Sequence, residues 1–167
     1  MSAIGVGAGL ALVFAVLFLA IAGLRQRSND ARHSQQVIAT ANELQTLVID
    51  LETGLRGFAI THQRSFLKPW DRARLRYPGA VDDLLRLTKD NPKQHARAVQ
   101  IQNSINDYFT QYSKPLVEFI ARNPTSAAQI VVAGNTKPTT NDIRTQFDEF
   151  VHQESVLGTT RNKRAHA

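Results

Sequence analysis

Glu52 and Arg56 stand four residues apart, with the glutamate on the N-terminal side, the order that favours an ion pair on a helix. Each follows a leucine of an apolar seam, Leu51 and Leu55, so their side chains graze whatever core that seam builds. A solvated pair there contributes at most a few tenths of a kcal/mol. A partly buried one, set beside Gly57, would lock the turn between two helices, and the sequence leaves both readings open. Other reactive side chains form no constellation. His33, His62, His95, His152 and His166 lack metal-ligand spacing. His95 reads as a surface residue, with a phosphotransfer histidine as the sharper and weaker alternative. Asp82-Asp83 and Asp148-Glu149 occupy adjacent helix positions, face different ways, and read as solvated rather than as a general acid and base. Without a cysteine the chain has neither disulfides nor thiolate ligands. The expectation is therefore no catalytic residue, no metal, no cofactor and no enzyme activity.

The elements that would hold Glu52 and Arg56 follow from periodicity. Val37, Ala41, Leu44, Val48, Leu51, Leu55 and Phe58 alternate steps of four and three, the seam of a helix running from about Ser28 to His62. Gly54 and Gly57 interrupt it, each at a cost of about 0.5–1 kcal/mol relative to alanine. Two together predict close backbone approach by a neighbouring helix or a ligand. A second helix is predicted from Ser65 as N-cap, carrying Leu67, Trp70, Tyr77, Val81 and Leu84, kinked rather than broken at Pro78-Gly79. Asp90-Asn91-Pro92 ends it, with Pro92 opening a third helix on Ile101, Ile105, Tyr108, Tyr112, Leu116 and Phe119, bent where Pro115 removes the bond to the Gln111 carbonyl. After Asn123-Pro124, Thr125 is read as the cap of a short run with Ile130 and Val131. Gly134 to Pro138 disrupts the pattern, and Ile143, Phe147, Phe150 and Leu157 resume it.

No strand pattern competes, so the fold class is all-α. The first and last stretches, about 35–40 residues each, outlast the middle two at about 25–30. The expected architecture is an up-down-up-down four-helix bundle with long first and fourth helices. Ahead of it, Ala3 to Leu24 are 22 residues without a charge, enough to cross a hydrocarbon layer of roughly 30 Å. Residues 3–24 are read as a transmembrane helix continuous with the first bundle helix, 25–164 as the bundle, and 165–167 as the end leading to a missing second span. A cleaved signal peptide, with Ala20-Ile21-Ala22 as its site, is the rival reading.

The formal charge of +6 and pI near 10.1 raise nucleic acid as a partner. Arg72, Arg74 and Arg76 alternate by two and form no helical stripe, while Arg161, Lys163 and Arg164 sit at the end, so no nucleic-acid partner is expected.

Asp50-Leu51-Glu52-Thr53-Gly54-Leu55-Arg56-Gly57-Phe58-Ala59-Ile60-Thr61, followed by Phe66-Leu67-Lys68-Pro69-Trp70, closely resembles the signature of the third class of CHASE domains (cyclase/histidine-kinase-associated sensory extracellular). Asp90-Asn91-Pro92, Gly134-Asn135-Thr136-Lys137, Asn141-Asp142-Ile143-Arg144 and Glu154 resemble its later blocks in order. The resemblance carries Glu52, Thr53, Gly54, Arg56, Gly57 and Phe58 over as family motif positions, with Phe66, Leu67, Pro69, Trp70, Asn141, Asp142 and Arg144 as a secondary set. His62 departs from it, standing where the family shows glycine.

The resemblance implies a four-helix input module outside the cytoplasm, flanked by two membrane helices, on histidine kinases, cyclases and chemoreceptors. Its partners would be the membrane, a second copy of the chain in a homodimer, and an output signalling domain or partner kinase, with a ligand the family does not define. Arg25, Arg27 and Arg32 follow the span and no Lys or Arg precedes it, which by charge counting alone would place the bundle inside. The resemblance sets the adopted placement: a single-pass inner-membrane protein with a periplasmic bundle that relays a stimulus by helix displacement. The alternative is a membrane-tethered helical scaffold that binds a partner and senses nothing.

Overall fold

The computed structural model describes the backbone of residues 2–123 and 140–164, and their side chains from Val13 to Thr160 except at residue 27. All regular structure among them is helical. Helix α1 (Ser2–Thr61) is unbroken, so the apolar run and the first bundle helix form one rod of roughly 90 Å. All seven expected seam residues, from Val37 to Phe58, are buried in the core. The helix stops at His62, whose φ of 57° is a left-handed turn that a side chain adopts reluctantly. Thr61 braces this end, its hydroxyl donating to the Gly57 carbonyl at 2.7 Å and accepting from the Gln63 amide at 3.2 Å.

A 3₁₀ turn (Arg64–Leu67) leads into α2 (Lys68–Leu87). Ser65, expected as an N-cap, lies inside that turn, and neither the turn nor α2 has a side-chain cap. Pro69 instead sets the start, its fixed φ suiting the first helical turn. Helix α2 runs through Pro78 without interruption, as the preserved apolar phase requires, and buries Trp70, Tyr77, Val81 and Leu84. Asn91 caps α3 (Pro92–Asp107) by accepting from the Lys93 and Gln94 amides, and Pro92 opens it as expected.

The third rod departs from expectation at Pro115. A π turn (Tyr108–Ser113) precedes α4 (Lys114–Arg122), with the Lys114 amide donating to the Phe109 carbonyl five residues back. The wider turn adds a residue and shifts the phase by one. Val117 and Ile120 are therefore buried together with Leu116, whereas Phe119, expected in the core, is 39% exposed, and Tyr112 is half-buried.

Helix α5 (Thr140–Arg164) buries Ile143, Phe147 and Phe150. Leu157, expected to continue that face, is half-buried, and Glu154 takes the core position. The described fourth rod has 25 residues, shorter than the 35–40 anticipated, because the stretch counted from Thr125 lies outside the described residues. The expected cap at Thr125, the Ile130 and Val131 run and the Gly134-to-Lys137 block fall there too.

Bonded pairs give the topology. Glu43 with Arg76 ties α1 to α2, Trp70 with Ser113 ties α2 to the third rod, Arg97 with Glu149 ties α3 to α5, and Ser34 with Glu154 ties α1 to α5. Second contacts, Gly57 with Phe66, Tyr77 with Phe109, Ser104 with Gln146 and Glu52 with Arg144, show residue numbers rising on one helix as they fall on the other, so neighbours are antiparallel and the bundle runs up-down-up-down. Both α1 at Ser34 and α5 at Glu154 meet at one end, called proximal here. The α1–α2 turn lies at the other, distal end.

From Val13 to Leu24 the large apolar side chains all stand exposed, Phe18 at 72%. Among the described residues no helix is long and apolar enough to cross a membrane. Side chains of the first part of the apolar run, through residue 12, lie outside the described set.

Candidate functional site

At the distal end the two glycines meet α2. A Cβ at Gly54 would come 2.8 Å from the Trp70 Cβ and 2.9 Å from the Trp70 backbone nitrogen. One at Gly57 would come 2.7 Å from Cδ1 of the Phe66 ring. The close approach expected of these glycines thus has a partner, the start of the second helix. Trp70 is buried there, its indole donating to the Ser113 hydroxyl at 2.7 Å and its ring stacked on Phe109 with centroids 5.7 Å apart. The Arg74 guanidinium lies 5.3 Å from the indole centroid. Leu67 and Phe58 complete the apolar wall, with Pro69 half-buried beside them.

Glu52 is buried at 8% exposure and held by two arginines. Arg56 Nη2 lies 3.2 Å from its Oε1, and Arg144 Nη2, from α5, donates to its Oε2 at 2.9 Å. The Arg56 side chain is 66% exposed and that of Arg144 40%. The intrahelical pair is therefore half of a three-residue bridge, and its interhelical half is shorter and better buried. Sequence reasoning had placed Arg144 only among the secondary motif positions; the fold brings it to Glu52. Thr53, Asn141 and Asp142 are exposed.

Tyr108 reaches the same region from the π turn. Burial, with the Glu52 carboxylate and Tyr112 adding to it, pushes its phenol well above the ordinary tyrosine range. Ser113 and Arg56 act the other way, but the Ser113 hydroxyl is not in hydrogen-bonding geometry with the phenol.

A second polar centre occupies the proximal end. Glu154 is 3% exposed, Gln94 0% and Ser34 5%. The Ser34 hydroxyl donates to Glu154 Oε1 at 2.9 Å, and Gln94 Nε2 donates to Oε2 at 2.9 Å and to the Phe150 carbonyl at 3.2 Å. Arg97 Nη1 donates to the Gln94 side-chain oxygen at 3.3 Å. Gly158, one turn on, leaves α5 close to Ser34. Sequence reasoning reaches Glu154 only as part of a family block and misses Ser34 and Gln94. The signal was present: Ser34 precedes Val37 by three and Glu154 follows Phe150 by four, so both continue the seams as polar residues.

The histidines are dispersed. His33 faces Asp90 at 3.6 Å, His95 Nδ1 lies 3.3 Å from the Thr88 hydroxyl, and His62 and His152 are exposed. The shallow cleft between His33, Asp90, Asn91 and Glu154 is too narrow for a water molecule. Among the described residues no group of three or more His, Cys, Asp or Glu could hold a metal ion. Both polar centres cross-link helices, and neither sets a nucleophile beside a base.

The family model described as the CHASE3 domain matches residues 27–164, most of the chain and all four helices of the bundle. The resemblance read from the first motif is borne out by that match. No curated protein and no solved structure matches the chain.

Proposed function

The chain belongs to the CHASE3 domain family of extracytoplasmic sensory modules associated with signalling proteins, and from that premise we propose that it is the membrane-anchored input domain of a bacterial signalling receptor. In this reading residues 3–24 span the inner membrane, the bundle of residues 25–164 stands on the periplasmic side, and two copies pair. A stimulus displaces helices of the bundle, and the membrane segments pass the shift to a kinase, cyclase or chemoreceptor output. The motif residues Glu52, Gly54, Arg56, Gly57, Phe58 and Arg144 act as structural joints of this device.

The observation that carries the reading is the continuity of α1, which enters the core at Val37 without a break after the apolar run. A displacement of its core half therefore has to appear at its membrane half. Packed helices at interfaces shift by about 1–2 Å between discrete arrangements, and a movement of that size would serve this relay. The all-round exposure of large apolar side chains between Val13 and Leu24 supports a lipid environment for that half, since water would penalise it.

Two measurements test the proposal. The chain lacks cysteine, so Asn106→Cys on exposed α3 gives a single thiol. Labelling of intact cells by a membrane-impermeant thiol reagent is expected, and labelling only after lysis would reverse the orientation. For the relay, one to four alanines inserted after Gln26 rotate the bundle by about 100° per residue relative to the membrane half. Fused to a chemoreceptor output, these variants should signal with helical periodicity. A flat response would refute relay through α1.

A further inference from the structure

Each core position of the third rod beyond Tyr108 has two claimants. If α3 continued as an α-helix, a turn of about 100° per residue would bring Tyr112, Pro115, Leu116 and Phe119 to its core face. The π turn delays each by one residue, and those found buried are Ser113, Leu116, Val117 and Ile120. A rod with one register calls for one such set. Here the set left out keeps its aromatic side chains, with Phe119 exposed and Tyr112 half-buried. Opposed demands act on the choice. Pro115 stands in the first turn of α4, where its missing amide is tolerated, whereas in an unbroken helix it would lie in the interior and crowd the Gln111 carbonyl. Ser113, brought inward by the π turn, accepts from the Trp70 indole at 2.7 Å. On the other side, the π turn opens at Tyr108, whose buried hydroxyl has no partner, and it leaves the Phe119 ring in water.

We infer that the third rod is a two-register switch, resting at the π turn and able to pass to a continuous α-helix, with Pro115 setting the balance. The passage turns the segment Lys114–Arg122 by about 100° about its own axis. Val117 and Ile120 leave the core, Phe119 enters it, and Tyr112 takes the place of Ser113 beside the Trp70 indole. Packed elements of this kind exchange between discrete arrangements rather than deform continuously. Trp70 is also the residue against which α1 packs at Gly54, so a change of register reaches the contact between α1 and α2. The switch belongs to the bundle itself and does not depend on the relay through α1.

The test is thiol labelling of the full chain in detergent. Two single-cysteine variants of this cysteine-free chain report on α4: Val117→Cys, at a position buried at the π turn and turned to water in the other register, and Ala121→Cys, at a position exposed in both. With Pro115 in place, the Val117→Cys thiol should react at least about tenfold more slowly than the Ala121→Cys thiol. Pro115→Ala lifts a helix-interior penalty that weights the balance by about a hundredfold. It should therefore speed the Val117→Cys reaction by about tenfold or more and leave the Ala121→Cys reaction unchanged. Adding Phe119→Ala removes the ring that only the second register buries, and should return the rate toward that of the parent. An α4 merely loosened by Pro115→Ala would keep the faster rate, because trimming an exposed ring does nothing to tighten it. Emission of Trp70, the single tryptophan, reads the register without any cysteine: it should shift with Pro115→Ala and revert when Phe119→Ala is added. Equal labelling of the two thiols in the parent, no acceleration by Pro115→Ala, an acceleration that Phe119→Ala does not reverse, or Trp70 emission indifferent to Pro115→Ala would overturn the switch.

Discussion

Gly54 and Gly57 look alike in the sequence and should respond oppositely to alanine. A Cβ at Gly54 meets main-chain and Cβ atoms of α2 and of the turn before it, with Trp70 Cβ at 2.8 Å, Trp70 N at 2.9 Å and the Phe66 carbonyl at 3.2 Å. None can yield unless the first turn of α2 moves away from α1. A Cβ at Gly57 meets one side chain, with Phe66 Cδ1 at 2.7 Å, Cγ at 3.1 Å and Cβ at 3.2 Å, and the Phe66 residue is 45% exposed, so its ring can swing outward and only the Cβ contact stays. Each substitution gains about 1 kcal/mol of helix propensity, whereas forcing a methyl against packed backbone costs about 1–3 kcal/mol. Because backbone cannot yield, the cost at Gly54 falls in the upper part of that range, about 2–3 kcal/mol, so Gly54→Ala should destabilise by about 1–2 kcal/mol net, and Gly57→Ala should be neutral or slightly stabilising. For a chain of this size each kcal/mol moves the midpoint by about 2–4 °C, so the two variants should differ by about 2–8 °C. Thermal unfolding of the full chain in detergent, followed by circular dichroism and by emission of Trp70, the single tryptophan, reads this directly. Equal midpoints for the two variants, or a stabilised Gly54→Ala, would refute the close-approach argument.

Double-mutant cycles on Glu52→Gln with Arg144→Met and with Arg56→Met should give a coupling above about 1 kcal/mol for the interhelical pair and below about 0.5 kcal/mol for the exposed intrahelical one; the reverse order would assign the motif's charge to the helix surface. His62→Gly should raise stability by about 1 kcal/mol, because glycine adopts the left-handed φ without the side-chain penalty, and urea midpoints of the two proteins check it. Tyr108→Phe should be neutral or stabilising at neutral pH, since it removes a buried hydroxyl with no partner. Folding raises the Tyr108 pKa, so its share of stability is complete below the unfolded value near 10 and falls as pH rises beyond it. Tyr108→Phe should accordingly flatten the loss of stability in alkali, measured as unfolding midpoint against pH.

The parts legible in the sequence were those governed by a repeating physical demand. Seam positions from Val37 to Phe58 repeat at helical spacing because each must leave water, and all seven are buried. Pro92 announces a helix start because its missing amide is an orphan there anyway. The π turn was not legible. Pro115 signals a missing bond, but whether a helix bends, breaks or widens around it depends on what packs outside, and widening moved the core position from Phe119 to Ile120. Side-chain alliances between helices were equally hidden. Glu52 could be matched to Arg56 by counting four residues, whereas Arg144 lies 92 residues away and is brought to it only by folding. Nor could spacing reveal that Ser34, Gln94 and Glu154 share one buried centre, although the polar residues standing in apolar seams were visible.

The two helix pairs that involve α1 are joined by different physics, and this difference indicates which helix moves. Against α2, α1 presents glycines and interlocked apolar side chains, contacts that lose energy steeply with any sliding. Against α5, beside the shared core of Ile143, Phe147 and Phe150, it is also fastened at both ends by polar bonds, Glu52 to Arg144 and Ser34 to Glu154, which water can replace at a net cost of about 1 kcal/mol per neutral hydrogen bond and about 1.5–3 for those to charged groups. The hairpin of α1 and α2 then moves as one unit, and the shift takes place between it and α5. A Cβ at Gly158 would lie 3.6 Å from the Ser34 Cβ, inside the range of about 3.5–4.5 Å that a disulfide spans. Ser34→Cys with Gly158→Cys should form a bond that pins α5 and changes the basal output of a receptor fusion, reversibly on adding reductant. Gly57→Cys with Phe66→Cys, whose Cβ atoms at 3.2 Å must part by about 0.3 Å to reach that range, pins the turn into α2 instead and should leave output unchanged. If the α2 bond alters output and the α5 bond does not, the moving element has been assigned to the wrong helix, and the polar fastenings of α5 serve only to hold the bundle closed.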